Sequence, residues 1–288
     1  MIAPVRREKA RLSGRACFEG WGAEHTGNGP AIFRLKEHTD RLFRSAHILN
    51  MKMPFSKEQL NEAQCAAVRE NNLDEAYLRP MAFLGSEGMG LRAHNLKVHV
   101  MVAAWEWPSY MSPEALELGI KVRPPSYTRH HVKTTMCKAK ANGNYMNSML
   151  ALNEALSGGA DEALLLDNEG YVAEGSGENV FLVRDGIIYT PELTSCLDGI
   201  TRKTIMQLAE ERGYPVREKR ITRDELYIAD EAFFTGTAAE VMPIRELDGR
   251  IIGAGKRGPV TEQLQAVYFD LVRGKLDDDY GDWLTYVS

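Results

Sequence analysis

A chain of 288 residues that is 44% hydrophobic and 26% charged has the make-up of an ordinary globular protein, which argues against disorder and fibrous repeats. Its net charge of -5, with Lys and Arg spread along the chain, argues against a nucleic-acid or anionic-membrane surface. No apolar run is long enough to span a bilayer, and the opening residues lack the apolar stretch of a secretory signal, so a cytoplasmic protein acting on small molecules is expected.

The length favours two domains. Little regular pattern is visible in the first thirty residues, where Gly20, Gly22, Gly27 and Gly29 interrupt the chain. A strand is expected over Ala31–Leu35. It leads into a helix whose Leu42, Phe43, Ala46 and Leu49 fall at helical spacing. Ser56 with Gln59 forms a capping-box pattern for a helix to about Glu70. Ala76–Leu84 and Lys97–Trp105, joined by a glycine-bearing turn, read as an antiparallel pair. Pro108, Pro113, Pro124 and Pro125 mark a weakly patterned stretch, so a boundary is expected near Met111 to Glu114, dividing the chain into 1–114 and 115–288. Beyond it come a helix over Asn144–Leu156 and strands over Ala163–Leu166, Tyr171–Ala173, Asn179–Val183 and Ile187–Thr190 in hairpins. A helix over Ile200–Arg212, a strand over Pro215–Lys219, a short helix capped by Thr222, a strand over Ala232–Thr235 and a last helix over Gly258–Arg273 follow.

Four scattered cysteines, Cys17, Cys65, Cys137 and Cys196, contain no C-x-x-C pair, so neither a zinc site nor a disulfide framework is expected. Cys137 lies near Lys140 and has the chemistry of a nucleophile, although a lone cysteine usually serves as a small buried apolar group. Asp198-Gly199 before a helix presents backbone N–H groups suited to a phosphate, where a merely capped helix start is the plainer reading. Thr235-Gly236-Thr237-Ala238-Ala239 offers hydroxyls and close backbone approach to an anion, or is simply a tight turn at a strand end. Lys140 precedes an Asn-Gly turn and a helix, and by itself reads as a surface charge. Glu174 ends a strand in a small-residue turn and reads either as a partner for a ligand's basic nitrogen or as a solvated carboxylate.

Taken in order, Lys140-Ala-Asn-Gly-Asn-Tyr145, Ala173-Glu174-Gly175-Ser176-Gly177-Glu178-Asn179, Gly199-Ile200-Thr201-Arg202 and Gly236-Thr237-Ala238-Ala239-Glu240 form a specific constellation. From about Phe18 to its end the chain resembles the fold-type IV pyridoxal-phosphate enzymes, and within them the branched-chain amino acid aminotransferases. The resemblance implies an α/β (α+β) architecture of the D-amino-acid-aminotransferase-like fold, with a small N-terminal α+β domain and a larger, β-rich, helix-bearing C-terminal domain. It implies pyridoxal 5'-phosphate as cofactor and Lys140 as the catalytic residue, forming the Schiff base and shuttling the proton between substrate Cα and cofactor C4′. It further implies that Glu174 holds the pyridinium N–H, that Tyr145 bonds the phenolic oxygen, and that Arg41, the Gly199, Ile200 and Thr201 backbone and Thr237 hold the phosphate. Tyr77 and Arg79 match the stretch that lines the pocket and binds a substrate carboxylate. Ala238 and Ala239 match the α-carboxylate site, and Phe18, Met89, Gly90 and Tyr110 match pocket positions, some reaching across a dimer interface. No metal is implied.

The expected reaction moves the amino group of L-leucine, L-isoleucine or L-valine to 2-oxoglutarate, in a homodimer or homohexamer. Before Phe18 the match lapses: Leu12 and Ser13 stand where the family has a pocket histidine and tyrosine, an altered or truncated start that bears on substrate binding. Two rival readings follow. A D-amino-acid transaminase or aminodeoxychorismate lyase would share Lys140, Glu174 and Arg41, and a pseudoenzyme would bind cofactor without turnover.

Overall fold

The computed structural model describes residues 16–88, 96–107, 112–276 and 280–287. The expected pocket residues Met89, Gly90 and Tyr110, and the divergent segment around Leu12 and Ser13, lie outside them. The chain forms two compact units. One comprises Met1–Pro108, Ala139–Gly143 and Asp270–Ser288, and the other Ser109–Lys138 and Asn144–Phe269. The single cut expected between 114 and 115 is thereby corrected. The first unit takes five residues around Lys140 and the chain's end as well, because strand pairing rather than sequence adjacency decides membership.

In the first unit, β1 (Ala16–Phe18), β2 (Trp21–Thr26), β3 (Gly29–Phe33), β4 (Ala76–Leu84), β5 (Val98–Trp105) and a C-terminal strand Leu284–Tyr286 form one antiparallel sheet. Helices α1 (Leu35–Ile48) and α2 (Lys57–Arg69) belong to the same unit. The capping box at Ser56 is realised: Ser56 Oγ accepts from Gln59 N at 3.2 Å, and Gln59 Oε1 accepts from Ser56 N at 2.9 Å. Along β4, β5 pairs at Tyr77–Leu84, while β1 and β2 pair in succession with its two ends. The interruption between them falls at Glu19-Gly20, where Glu19 N donates to Pro80 O at 3.0 Å. Only glycine suits position 20, since a Cβ there would stand 1.9 Å from Tyr77 Oη. Trp21, Ile32, Leu35, Val68 and Leu78 form one part of the core, and Leu42, Ala46, Leu60, Ala82 and Leu84 another. The Ala141 backbone bridges to Cys17 beside β1, which ties the Lys140 segment into this unit.

The second unit opens with α3 (Pro113–Leu118), capped by Ser112, and β6 (Ile120–Arg123). Next come α4 (Tyr145–Ser157), β7 (Glu162–Leu166), β8 (Val172–Gly175), β9 (Asn179–Arg184), β10 (Ile187–Pro191) and α5 (Ile200–Glu211). The unit continues through β11 (Val216–Lys219), α6 (Arg223–Tyr227), β12 (Glu231–Gly236), β13 (Glu240–Leu247), β14 (Arg250–Ile251) and α7 (Pro259–Val272), whose last turn enters the first unit. The sheet runs β11-β10-β9-β12-β13-β6-β7-β8, with β14 on β13. Its middle is dry: Phe181 of β9 stacks on Phe233 of β12 at 5.0 Å, and Val180, Leu182, Phe234 and Met242 join the core. The hairpins β7–β8 and β9–β10 follow the turn signals. Three strands, β6, β13 and β14, have no counterpart in the sequence expectation. Pro243 inside β13 hides it, and the chain admits that proline beside the register shift at Ile244/Glu246.

Candidate active site

In the first unit, the Phe18-Glu19 dipeptide organises the chemistry. Phe18 N donates to Lys140 O at 3.1 Å, and Lys140 N donates to Ser45 Oγ of α1 at 3.0 Å, so the lysine backbone is held on both sides. The Phe18 ring then lies 4.9 Å from Lys140 Nζ and 4.8 Å from the Arg79 guanidinium carbon, bringing together three expected site residues. Arg79 Nη2 donates to Tyr77 Oη at 3.1 Å, and the Tyr77 ring packs against Trp107 at 4.4 Å and Trp105 at 5.2 Å. Arg79 Nε is a buried donor with no hydrogen-bond partner, a state that suits an arriving carboxylate.

Arg41 sits deeper. Its Nε and Nη2 donate to Glu19 Oε1 and Oε2 at 2.8 and 2.6 Å, in a bidentate pair with both residues buried. His38, one helical turn before Arg41 on α1, places Nδ1 2.9 Å from Glu19 Oε2, and its ring lies 4.6 Å from Trp21. Burial pushes the Glu19 carboxyl up, but the charge and hydrogen bonds of Arg41, with the His38 bond, outweigh it and hold the group down to about 2. For His38 the balance is opposite. Burial dominates over the Glu19 bond and lowers the imidazole to about 4, so it is neutral at physiological pH.

In the second unit, the turn from Glu174 to Asn179 and the start of α5 are one construction. Glu174 is buried, and its Oε2 accepts from Leu197 N at 3.0 Å. Asn179 Nδ2 donates to Leu197 O at 3.0 Å, and a Cβ on Gly199 would meet Asn179 Oδ1 at 2.0 Å. The loop into α5 is therefore clamped from both ends of the turn. Gly199 caps the helix without a side-chain hydrogen bond, leaving the first-turn N–H groups of Ile200 and Thr201 for an anion. Thr235 Oγ1 is buried and unpartnered just before Gly236-Thr237, and Ala238 and Ala239 continue the same turn. Tyr145 begins α4 and is partly buried.

Glu174 Oε1 lies 2.7 Å from Arg129 Nε, an ion pair whose angle leaves neither atom in a hydrogen bond. Arg129 was not an expected site residue; neither were Glu19, His38 and Asn179. Asn179 stands inside a quoted motif and Glu19 directly follows the expected Phe18, signals that could have found them, whereas nothing local marks Arg129. Arg202, inside the Gly-Ile-Thr-Arg motif, is buried and donates to Pro191 O at 3.0 Å and Glu218 Oε2 at 2.9 Å, a brace for α5 on β10 and β11. Cys137 is buried, its thiol pushed up by desolvation with Sγ on Thr194 O at 3.3 Å, an inert group and no nucleophile.

The model of the amino-transferase class IV family matches residues 16–247, and the chain belongs to that family. It is 67% identical over 275 residues to a branched-chain-amino-acid aminotransferase of Pseudomonas aeruginosa, covering 96% of this chain and 89% of that one. Among solved structures, the branched-chain amino acid aminotransferase of Escherichia coli is 42% identical with a TM-score of 0.94, over 99% of this chain and 96% of that one. The branched-chain amino acid aminotransferase of T.th., complexed with N-(5'-phosphopyridoxyl)-L-glutamate, is 47% identical with a TM-score of 0.92 and the same coverage.

Proposed function

We propose that the chain is a branched-chain amino acid aminotransferase that binds pyridoxal 5'-phosphate and uses 2-oxoglutarate as acceptor. The identity of 67% to a relative of that name carries the reading most directly, and the T.th. complex with a phosphopyridoxyl-glutamate supports the acceptor. The residues fit the cofactor on their own terms. Glu174 is a buried carboxylate whose Oε1, ion-paired with Arg129 Nε at 2.7 Å, makes no hydrogen bond and keeps lone-pair capacity for a ring N–H, and the uncapped start of α5 suits a phosphate dianion.

When bound, the cofactor supplies an electron sink that lets a proton leave the substrate α-carbon. Lys140 anchors it and moves that proton at Nζ. Glu174 holds a proton on the ring nitrogen, Tyr145 bonds the phenolic oxygen, and Arg41, Gly199, Ile200, Thr201 and Thr237 hold the phosphate. Arg79, with a buried unpartnered Nε beside the apolar rings of Phe18 and Tyr77, accepts a side-chain carboxylate of glutamate, and the same rings accept leucine-like chains. Ala238 and Ala239 take the α-carboxylate, in a homodimer or hexamer. Among the described residues no helix is long and apolar enough to cross a membrane.

The test is the visible spectrum of the purified protein with pyridoxal 5'-phosphate, before and after L-leucine without any keto acid. A band that shifts to shorter wavelength with leucine, and that the Lys140→Ala variant lacks, is expected. A band that responds to D-alanine and ignores L-leucine would overturn the substrate assignment.

A further inference from the structure

We infer that Glu19 is a positioning residue: it holds the Arg41 guanidinium edge-on, so that the protein discriminates phosphorylated from unphosphorylated cofactor through a carboxylate that never meets the phosphate. The inference rests on the reading of Arg41 as a phosphate ligand. Glu19 is fully buried, and its carboxylate accepts from Arg41 Nε at 2.8 Å, Arg41 Nη2 at 2.6 Å and His38 Nδ1 at 2.9 Å. A buried ion pair contributes little net stability, because desolvating both charges offsets most of their attraction. What it supplies is orientation. A guanidinium carries its five N–H donors in a rigid plane, so gripping the Nε–Nη2 edge sets where the remaining donors point.

Each part of the grip is itself held. The backbone N–H of Glu19 is tied to Pro80 O at 3.0 Å, and the next residue, Gly20, has no room for a Cβ beside Tyr77 Oη. His38 is wedged against Trp21 and, being neutral, donates Nδ1–H to Glu19 without adding charge. Both His38 and Arg41 belong to α1, so one helix face carries the donors and one sheet interruption carries the acceptor. The preceding residue, Phe18, takes the Lys140 carbonyl and stacks near its Nζ. The same dipeptide therefore sets the reacting amine through residue 18 and the guanidinium through residue 19.

This assignment has a sign opposite to simple charge counting. Removing a negative charge beside a phosphate-binding arginine should strengthen phosphate binding if only net charge matters. It should weaken it if Glu19 orients the guanidinium. The experiment strips the full-length protein of cofactor and titrates it with pyridoxal 5'-phosphate and, separately, with unphosphorylated pyridoxal. The wild type should prefer the phosphorylated form strongly, and Arg41→Met should lose most of that preference. Glu19→Gln should lower the preference at least about 10-fold while changing pyridoxal affinity little, a split that a merely structural defect would not produce. If Glu19→Gln does not fold, Glu19→Asp keeps the buried charge but shortens the side chain, and should also lower the preference. A Glu19 variant that retains or raises the wild-type preference overturns the inference while leaving the Arg41 reading intact. A wild type, or an Arg41→Met variant, that gives no support to phosphate contact by Arg41 overturns both.

Discussion

The two units order their expected site residues by different physics. In the first, polar order comes from buried side-chain charges: Glu19, Arg41 and the neutral His38 pack in a region closed to water, with Arg79 and Lys140 both near the Phe18 ring. In the second, it comes mostly from backbone: Leu197 N–H on Glu174, Leu197 O on Asn179, and the open N–H groups at the start of α5. Charge networks answer to pH and to the loss of any one member, whereas backbone cradles answer to added side-chain volume. The two kinds of order can therefore fail in separable ways.

Acid should expose the difference most strongly. Above pH 6.5 His38 is neutral in the folded and unfolded chain alike. As pH falls from 6.5 to about 4, the unfolded chain takes up a proton that the folded imidazole, buried as it is, refuses, and stability drops. Glu19 continues the loss from 4.5 down to about 2, since Arg41 and His38 overcome its burial and keep it ionised in the folded state while the unfolded carboxyl is protonated. Together these amount to on the order of a few kcal/mol. All four tryptophans, Trp21, Trp105, Trp107 and Trp283, belong to the first unit, so their fluorescence reports it alone. Tryptophan emission should change at higher pH than far-ultraviolet circular dichroism does. Coincident transitions would show that charge burial in the first unit does not set acid sensitivity.

The second unit should yield to volume. In Gly199→Ala the new methyl group lands on Asn179 Oδ1, and the Asn179–Leu197 bond must break or the loop must shift. Affinity for pyridoxal 5'-phosphate is expected to fall about 10- to 100-fold, read by spectral titration, with tryptophan emission unchanged. Unaltered affinity would mean that the clamped loop is no part of the anion site. Smallest is Ser56→Ala on α2, which removes the hydroxyl of a capping box remote from either set of site residues. It should lower unfolding stability by about 1 kcal/mol, measured by denaturant, and leave cofactor affinity alone.

Some of this was readable without coordinates. Ser56 and Gln59 marked the start of α2 because a capping box is a local contract between residues three apart. Ala76–Leu84 and the strand after it paired as expected, since an apolar run and a glycine turn suffice for a hairpin. The first thirty residues gave no such signal, yet β1 and β2 lie there among the described positions. Their register is imposed by β4, a partner about sixty residues away. β13 was hidden by Pro243, which is acceptable only beside the bulge that pairing with β6 creates.

What the sequence determined by itself is the set of chemical groups and their order: the Lys140, Glu174, Gly199 and Thr237 motifs, each local enough for residue type and spacing to speak. Tertiary structure alone decided which groups share an environment. It moved Lys140 into the first unit through pairing beside β1, closed Glu19 onto Arg41 across 22 residues, and set Arg129 against Glu174 across 45. The reason is physical. A buried charge must find its counter-charge wherever the fold provides one, and no periodicity in the chain records that address.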